Sequence, residues 1–246
     1  TQIKDFTKGN IGRQLIVFAA PLFLSNLMQV FYNMVDMYIV GQTLGKTGIS
    51  AVSVGGDLCN LLTFIAIGFS NAGQVIIAKY VGAGEKRKIG SFTGTMFFFL
   101  SVSSVIVSIL SIAFQDPLLR LMNTPESAYK LASEYSFVCM TGLFFIYGYN
   151  MVSAVLRGMG DSKHPFIFIS LAAVTNLVLD IVFVVFLNMG TRGAALATVI
   201  SQATSFIACS VFLFIRRREF ELEMTPSDFI HPKKEYMQQN PIHYKH

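Results

Sequence analysis

TNLVLDIVFVVF, Thr175 to Phe186, places one acid, Asp180, in a run whose other residues from Leu177 onward are all aliphatic or aromatic. An ionised carboxylate there loses its water and gains nothing from the residues beside it, so compensation must come from elsewhere in the chain. The surrounding run, about 165 to 188, is long enough to cross roughly 30 Å of hydrocarbon as a helix of about 20 residues. Five similar runs accompany it, at about 14 to 40, 50 to 78, 89 to 114, 128 to 155 and 193 to 215. Only 13% of the residues are charged and 53% are hydrophobic, against a charged share of about 25% in soluble domains. The expected fold is therefore all-α: a polytopic membrane protein whose six transmembrane helices form one bundle over 14–218. Residues 1–13 read as a cytoplasmic N-terminal segment and 219–246 as a polar cytoplasmic tail that is cut short. The first run exceeds the 7 to 15 apolar residues of a signal-peptide core and no small-residue cleavage site follows it, so it reads as a retained span.

The net charge of +5 is explained by position. All but Lys46, Arg120, Lys130 and Arg192 of the 19 lysines and arginines fall on one side of the expected membrane, around residues 1–13, 79–88, 157–163 and 216–246. Positive loops stay in the cytoplasm, which puts both termini inside and removes the need for a nucleic-acid partner. GAGEKRK (Gly82 to Lys88) and RGMGDSKHP (Arg157 to Pro165) carry the glycine, proline and charge expected of turns between helices. Cys59, Cys139 and Cys209 lie inside spans without metal-ligand spacing and read as small apolar residues. The Gly90 and Gly94 pair has the spacing of close helix packing, and Ser101, Ser103, Ser104, Ser108 and Ser111 read as backbone-bonded helix residues.

Four acids fall within the spans: Asp36, Asp57, Glu134 and Asp180. Ionisable groups at membrane depth cost several kcal/mol or more and usually face a bundle interior or a wet cavity. Asp180 lies eight residues before Asn188, Asp36 five before Gly41 and Thr198 six after Arg192, so at about 1.5 Å per residue these groups share one level in the outer half. Asn176 and Asp180 share a face of span five, and Thr198 and Gln202 a face of span six. Tyr32, Asn33 and Gln29 continue a polar stripe along span one from Asp36. A carboxylate, a carboxamide and a hydroxyl from three helices suit a hard monovalent cation, and two nearby carboxylates suit a shared proton. The plainer alternative is that each polar residue only bonds a neighbouring helix; it fits Asp57 and Glu134, which lie near enough to the surface to be solvated, better than the Asp36 and Asp180 pair.

Enzyme chemistry is not expected. GMGD (Gly158 to Asp161) mimics the GxGD signature of intramembrane aspartyl proteases, but Asp161 sits in a basic loop and the companion YD dipeptide is absent. The four histidines make no HExxH spacing, and no P-loop or resident cofactor motif is present.

The run PLFLSNLMQVFYNMVDMYIVG (Pro21 to Gly41), followed by LRGMGDSKHP (Leu156 to Pro165), NLVLD (Asn176 to Asp180) and GTRGAALATVISQ (Gly190 to Gln202), resembles the amino-terminal lobe of the MATE family of multidrug and toxic compound extrusion transporters, in its prokaryotic DinF-like branch. The resemblance covers roughly residues 4 to 228. It implies one six-helix lobe of a twelve-helix fold in a prokaryotic inner membrane, exporting organic cations or drugs in exchange for Na⁺ or H⁺. Carried over by position, the cation site is Asp36, Asn176, Asp180 and Thr198. Gln29, Tyr32 and Tyr135 match positions near the drug cavity, and Asn33 and Gln202 extend that set by their spacing. Pro21 matches a proline in a span that bends in some members. Asp57 lies outside the family pattern, and only one lobe is present, so the chain is expected to be a fragment or to pair with a second half. A lipid-linked oligosaccharide flippase of the same superfamily is the alternative, which a basic central cavity would favour.

Overall fold

The computed structural model describes residues 11–218. The tail 219–246 and nearly all of the segment 1–13 therefore lie outside the described residues. Among these residues every regular element is helical, as hydrocarbon demands, because a helix bonds its own backbone groups where no water can.

Helix α1 (Ile11–Gly82) is interrupted at Gly45, whose φ of 65° and ψ of −156° fall in a region open essentially to glycine alone. The break separates a first arm, 11–44, from a second arm, 46–82. The second arm returns along the first: a Cβ on Gly41 would lie 2.8 Å from Ile49 Cδ1, whereas a straight helix would hold those positions about 12 Å apart. Next come α2 (Lys86–Ala113), a short α3 (Gln115–Leu121), α4 (Glu126–Thr141), α5 (Leu143–Gly158) and α6 (Lys163–Asp180). A π turn (Ile181–Phe186) prolongs α6, and α7 (Gly190–Ile215) closes the bundle. With α1 counted as two crossings and α4 and α5 as one crossing bent by 51°, the described residues make six crossings.

Three details differ from the sequence reading. The fourth span is not one rod: its helix breaks at Gly142, where a Cβ would meet Val199 Cγ2 at 2.4 Å, so α7 packs directly on the bend. The fifth span is α-helical only as far as Asp180 and then widens into the π turn, closed by the Leu187 N–H donating to Val182 O at 2.9 Å. Among the serines of α2, Ser104 and Ser111 bond their own helix, but Ser108 donates across to Met140 O of α4 at 2.7 Å. Gly90 and Gly94 are both buried, in keeping with close packing.

Turns at the helix ends share one device. The N–H groups of Glu85, Thr124 and Asp161 donate to carbonyls five residues back, Tyr80, Leu119 and Leu156, around residues of positive φ at Gly84, Asn123 and Gly160. This satisfies carbonyls that the helix leaves open. The Asp161 carboxylate then accepts from the N–H groups of Lys163 and His164 at 3.2 and 3.1 Å and pairs with the His164 ring, capping α6. The aspartate of GMGD is thus a helix cap.

The main core surrounds α5. Tyr147, Met151, Val152, Val155 and Leu156 meet Ala66 and Ile77 of the second arm, Ile89 and Met96 of α2, and Cys209 and Leu213 of α7. The Tyr147 hydroxyl donates to Leu62 O at 2.7 Å, satisfying the polar end of a buried ring. A smaller cluster, with Val40, Val52, Tyr135, Val184 and Ala194, packs where α1, α4, the π turn and α7 meet, and the polar groups of the next section lie beside it.

Candidate cation and substrate site

Helical spacing determines which residues of the first arm turn inward. Tyr32, Asp36 and Val40, four residues apart, are its buried positions among the described side chains. Asp36 faces α6, where Asn176 and Asp180 are buried one turn apart. Asp36 is 5% exposed, Asn176 1% and Asp180 0%. The carboxyl groups of Asp36 and Asp180 are near enough to repel each other when both are ionised. Both oxygens of Asp180, and Oδ1 of Asp36, are buried without a hydrogen-bond partner. Asn176 Nδ2 reaches Thr198 Oγ1 of α7 at 3.5 Å, at the limit of a hydrogen bond. The structure therefore brings the four candidate cation ligands to one place between the first arm, α6 and α7.

The candidate substrate residues divide. Tyr32, Tyr135 and Gln202 are buried beside the carboxylates. Tyr32 lies near Gln29 and Gln202, and Tyr135 near Thr198. Gln29 and Asn33 are exposed on the flank of the first arm, outside this packed interior. Asp57 is exposed, and Glu134, partly exposed, accepts from Arg192 Nη2 at 3.3 Å. Glu134 is thus accounted for by an ion pair, and Asp57 stands apart from the Asp36 and Asp180 pair. Pro21 does not break α1, which stays helical there, and its carbonyl accepts from Ser25 Oγ at 2.8 Å.

Sequence reasoning missed two features of this neighbourhood. The buried Cys59 and Cys139 share one apolar cluster and are near enough to act on each other, and Asp36 is close enough to act on Cys139. Cys139 stands one turn beyond Tyr135 on the same face of α4, and that spacing was the available signal. The π turn immediately after Asp180 is the second; widened turns of this kind often occur at functional sites, but IVFVVF carries no composition that announces one.

Acids, tyrosines and amides are buried between four crossings of this bundle, the first arm, α4, α6 and α7, and comparison with known proteins identifies the class of protein to which such a bundle belongs. Residues 21–182 match the MatE family model, and the chain belongs to the MATE family. It is 34% identical over 203 residues to the Probable multidrug resistance protein YpnP of Bacillus subtilis (strain 168), a match covering 82% of this chain and 46% of that protein. A crystal structure of MATE in the bent conformation superposes with a TM-score of 0.85 at 27% identity, over 93% of this chain and 50% of that one. A MOP superfamily transporter from Pyrococcus furiosus, described as having a binding pocket of reverse polarity that suggests a different function, superposes with a TM-score of 0.82 at 27% identity, over 93% of this chain and 50% of that one. The chain spans about half the length of the curated relatives it matches.

Proposed function

We propose that this chain forms one lobe of a cation-coupled antiporter that exports organic cations or drugs, with Asp36, Asn176, Asp180 and Thr198 holding the incoming Na⁺ or H⁺. The observation that carries this reading is the pair of facing acids with three buried carboxylate oxygens that no group among the described residues satisfies. A buried, unpaired carboxylate is costly, and either a proton or a small cation between the two lowers that cost. The Asn176 carboxamide and the Thr198 hydroxyl supply neutral oxygens of the kind hard cations accept.

Because Asp36 belongs to the first arm and Asp180 to α6, a cation shared between them draws those helices together and neutralises the charge that would attract a cationic drug. Substrate and coupling ion then compete, and each outward passage of drug follows an inward passage of cation. Tyr32, Tyr135 and Gln202 offer rings and amides to the drug at the packed end of the site, and Gln29 and Asn33 line its approach from the exposed flank. A second lobe, or a second half, encloses the other side. The protein sits in the inner membrane of a prokaryote, with the loops at 82–86 and 158–163 in the cytoplasm.

The acidic pocket also discriminates against a carrier of anionic or lipid-linked substrates. Arg157, the basic residue nearest the core of α5, is turned to Gln74, its Nε donating to Gln74 Oε1 at 2.8 Å. In membrane vesicles containing the complete protein, Asp36→Asn combined with Asp180→Asn is expected to reduce gradient-driven drug efflux to background. Efflux at the unmodified rate would overturn the assignment.

A further inference from the structure

Gly55 and Cys59 stand one turn apart on the second arm of α1, and Tyr135 and Cys139 stand one turn apart on α4. The absent side chain at Gly55 lets the two helices touch: a Cβ there would lie 2.7 Å from Tyr135 Cδ1 and 3.4 Å from the Ala132 carbonyl oxygen. The second arm and α4 run in the same direction, so the close approach continues into the next turn, where Cys59 faces Cys139. Both are free thiols, both buried, and both belong to the same apolar cluster. Each thiol is near enough to act on the other, and two helices this close can bring Cα atoms to the separation of about 4.4 to 6.8 Å that a disulfide requires.

We propose that Cys59 and Cys139 are a latent disulfide, formed when a small lipophilic two-electron oxidant reaches them, which staples the second arm of α1 to α4 beside the Asp36 and Asp180 pocket. With an azodicarboxamide, one sulfur adds to a nitrogen of the N=N bond while its proton passes to the other nitrogen. The second sulfur then attacks the first, the S–N bond breaks, and the leaving nitrogen takes up the second thiol proton. The products are a disulfide and a hydrazine: the thiols have lost two electrons and two protons, and the azo compound has gained them. Neither cysteine has a part in the proposed transport cycle, so the staple stands or falls independently of that reading.

The test uses the complete protein carrying Cys209→Ser, in membrane vesicles treated with an azodicarboxamide. After denaturation the remaining thiols are alkylated, and the protein is digested and analysed by mass spectrometry. Most of the Cys59 signal is expected in a peptide linked to Cys139, two hydrogens lighter than the sum of the reduced peptides and released by dithiothreitol. Cys139→Ser, checked for normal membrane levels, should eliminate that peptide. Full alkylation of both cysteines after treatment, as in untreated vesicles, or linkage of Cys59 to a different cysteine, would overturn the proposal.

Discussion

The first arm of α1 and helix α5 are both apolar, yet one is nearly all surface in this lobe and the other nearly all core. On the first arm Leu15, Ile16, Phe23 and Met34 are each more than 60% exposed, and the inward stripe reduces to Tyr32, Asp36 and Val40. On α5 every residue from Met151 to Leu156 is buried, and Gly148 and Gly158 are packed so closely that a Cβ would come within 2.5 Å of Phe206 and 2.9 Å of the Gln74 carbonyl oxygen. The largely exposed first arm carries one of the two facing carboxylates, and the tightly packed α5 carries neither. On the proposed reading, stability and coupling belong to different parts of the bundle. Under that proposal the element that responds to a cation is the one with much of its apolar surface exposed, while α5 is closely packed.

That division can be broken experimentally, starting where the effect is largest. Leu156→Ala in α5 empties a fully enclosed site and should cost about 2 to 5 kcal/mol of stability, read from unfolding of the complete protein in detergent. A cost below about 1 kcal/mol would show that α5 is not the frame. At alkaline pH, where the carboxyl is ionised, Asp180→Asn should act in the opposite direction, raising stability by about 1 to 3 kcal/mol, because it removes a buried charge that lacks a partner. The same measurement with saturating sodium or at acid pH should show a smaller gain, since a bound cation has already relieved that charge. An unchanged gain would separate Asp180 from cation binding. The smallest effect belongs to Leu27→Ala on the exposed face of the first arm, expected within about 0.5 kcal/mol of the parent. A loss matching that of Leu156→Ala would mean that the remainder of the transporter grips this arm as firmly as the lobe grips α5.

The depth of each polar residue was legible in the sequence because helical rise is constant. Counting residues brought Asp36, Asn176, Asp180 and Thr198 to one level, and the structure gathers them there. The facing of each residue was less legible, because rotation about a helix axis is set by what packs on it. Asn33 and Gln29 have suitable depths but lie on the exposed flank, while Tyr32 beside them is buried. The six crossings followed from apolar length. The bend at Gly142 did not, because it depends on Val199, nearly sixty residues away, pressing against a glycine that looks like any other in a membrane run. The Cys59 and Cys139 contact was hidden for the same reason: each thiol alone is an ordinary buried residue, and only the gap at Gly55 makes them neighbours.

One glycine also sets the mechanical scale of the molecule. The first arm, taken as a rigid rod ending at Gly45, is about 50 Å long, with Asp36 about 14 Å and Pro21 about 36 Å from that residue. A swing of about 10° would carry Asp36 only some 2 Å, roughly the difference between gripping an ion and releasing it, while moving the chain near Pro21 by about 6 Å. A displacement of atomic size at the charge is thus geared up to side-chain size at the far end.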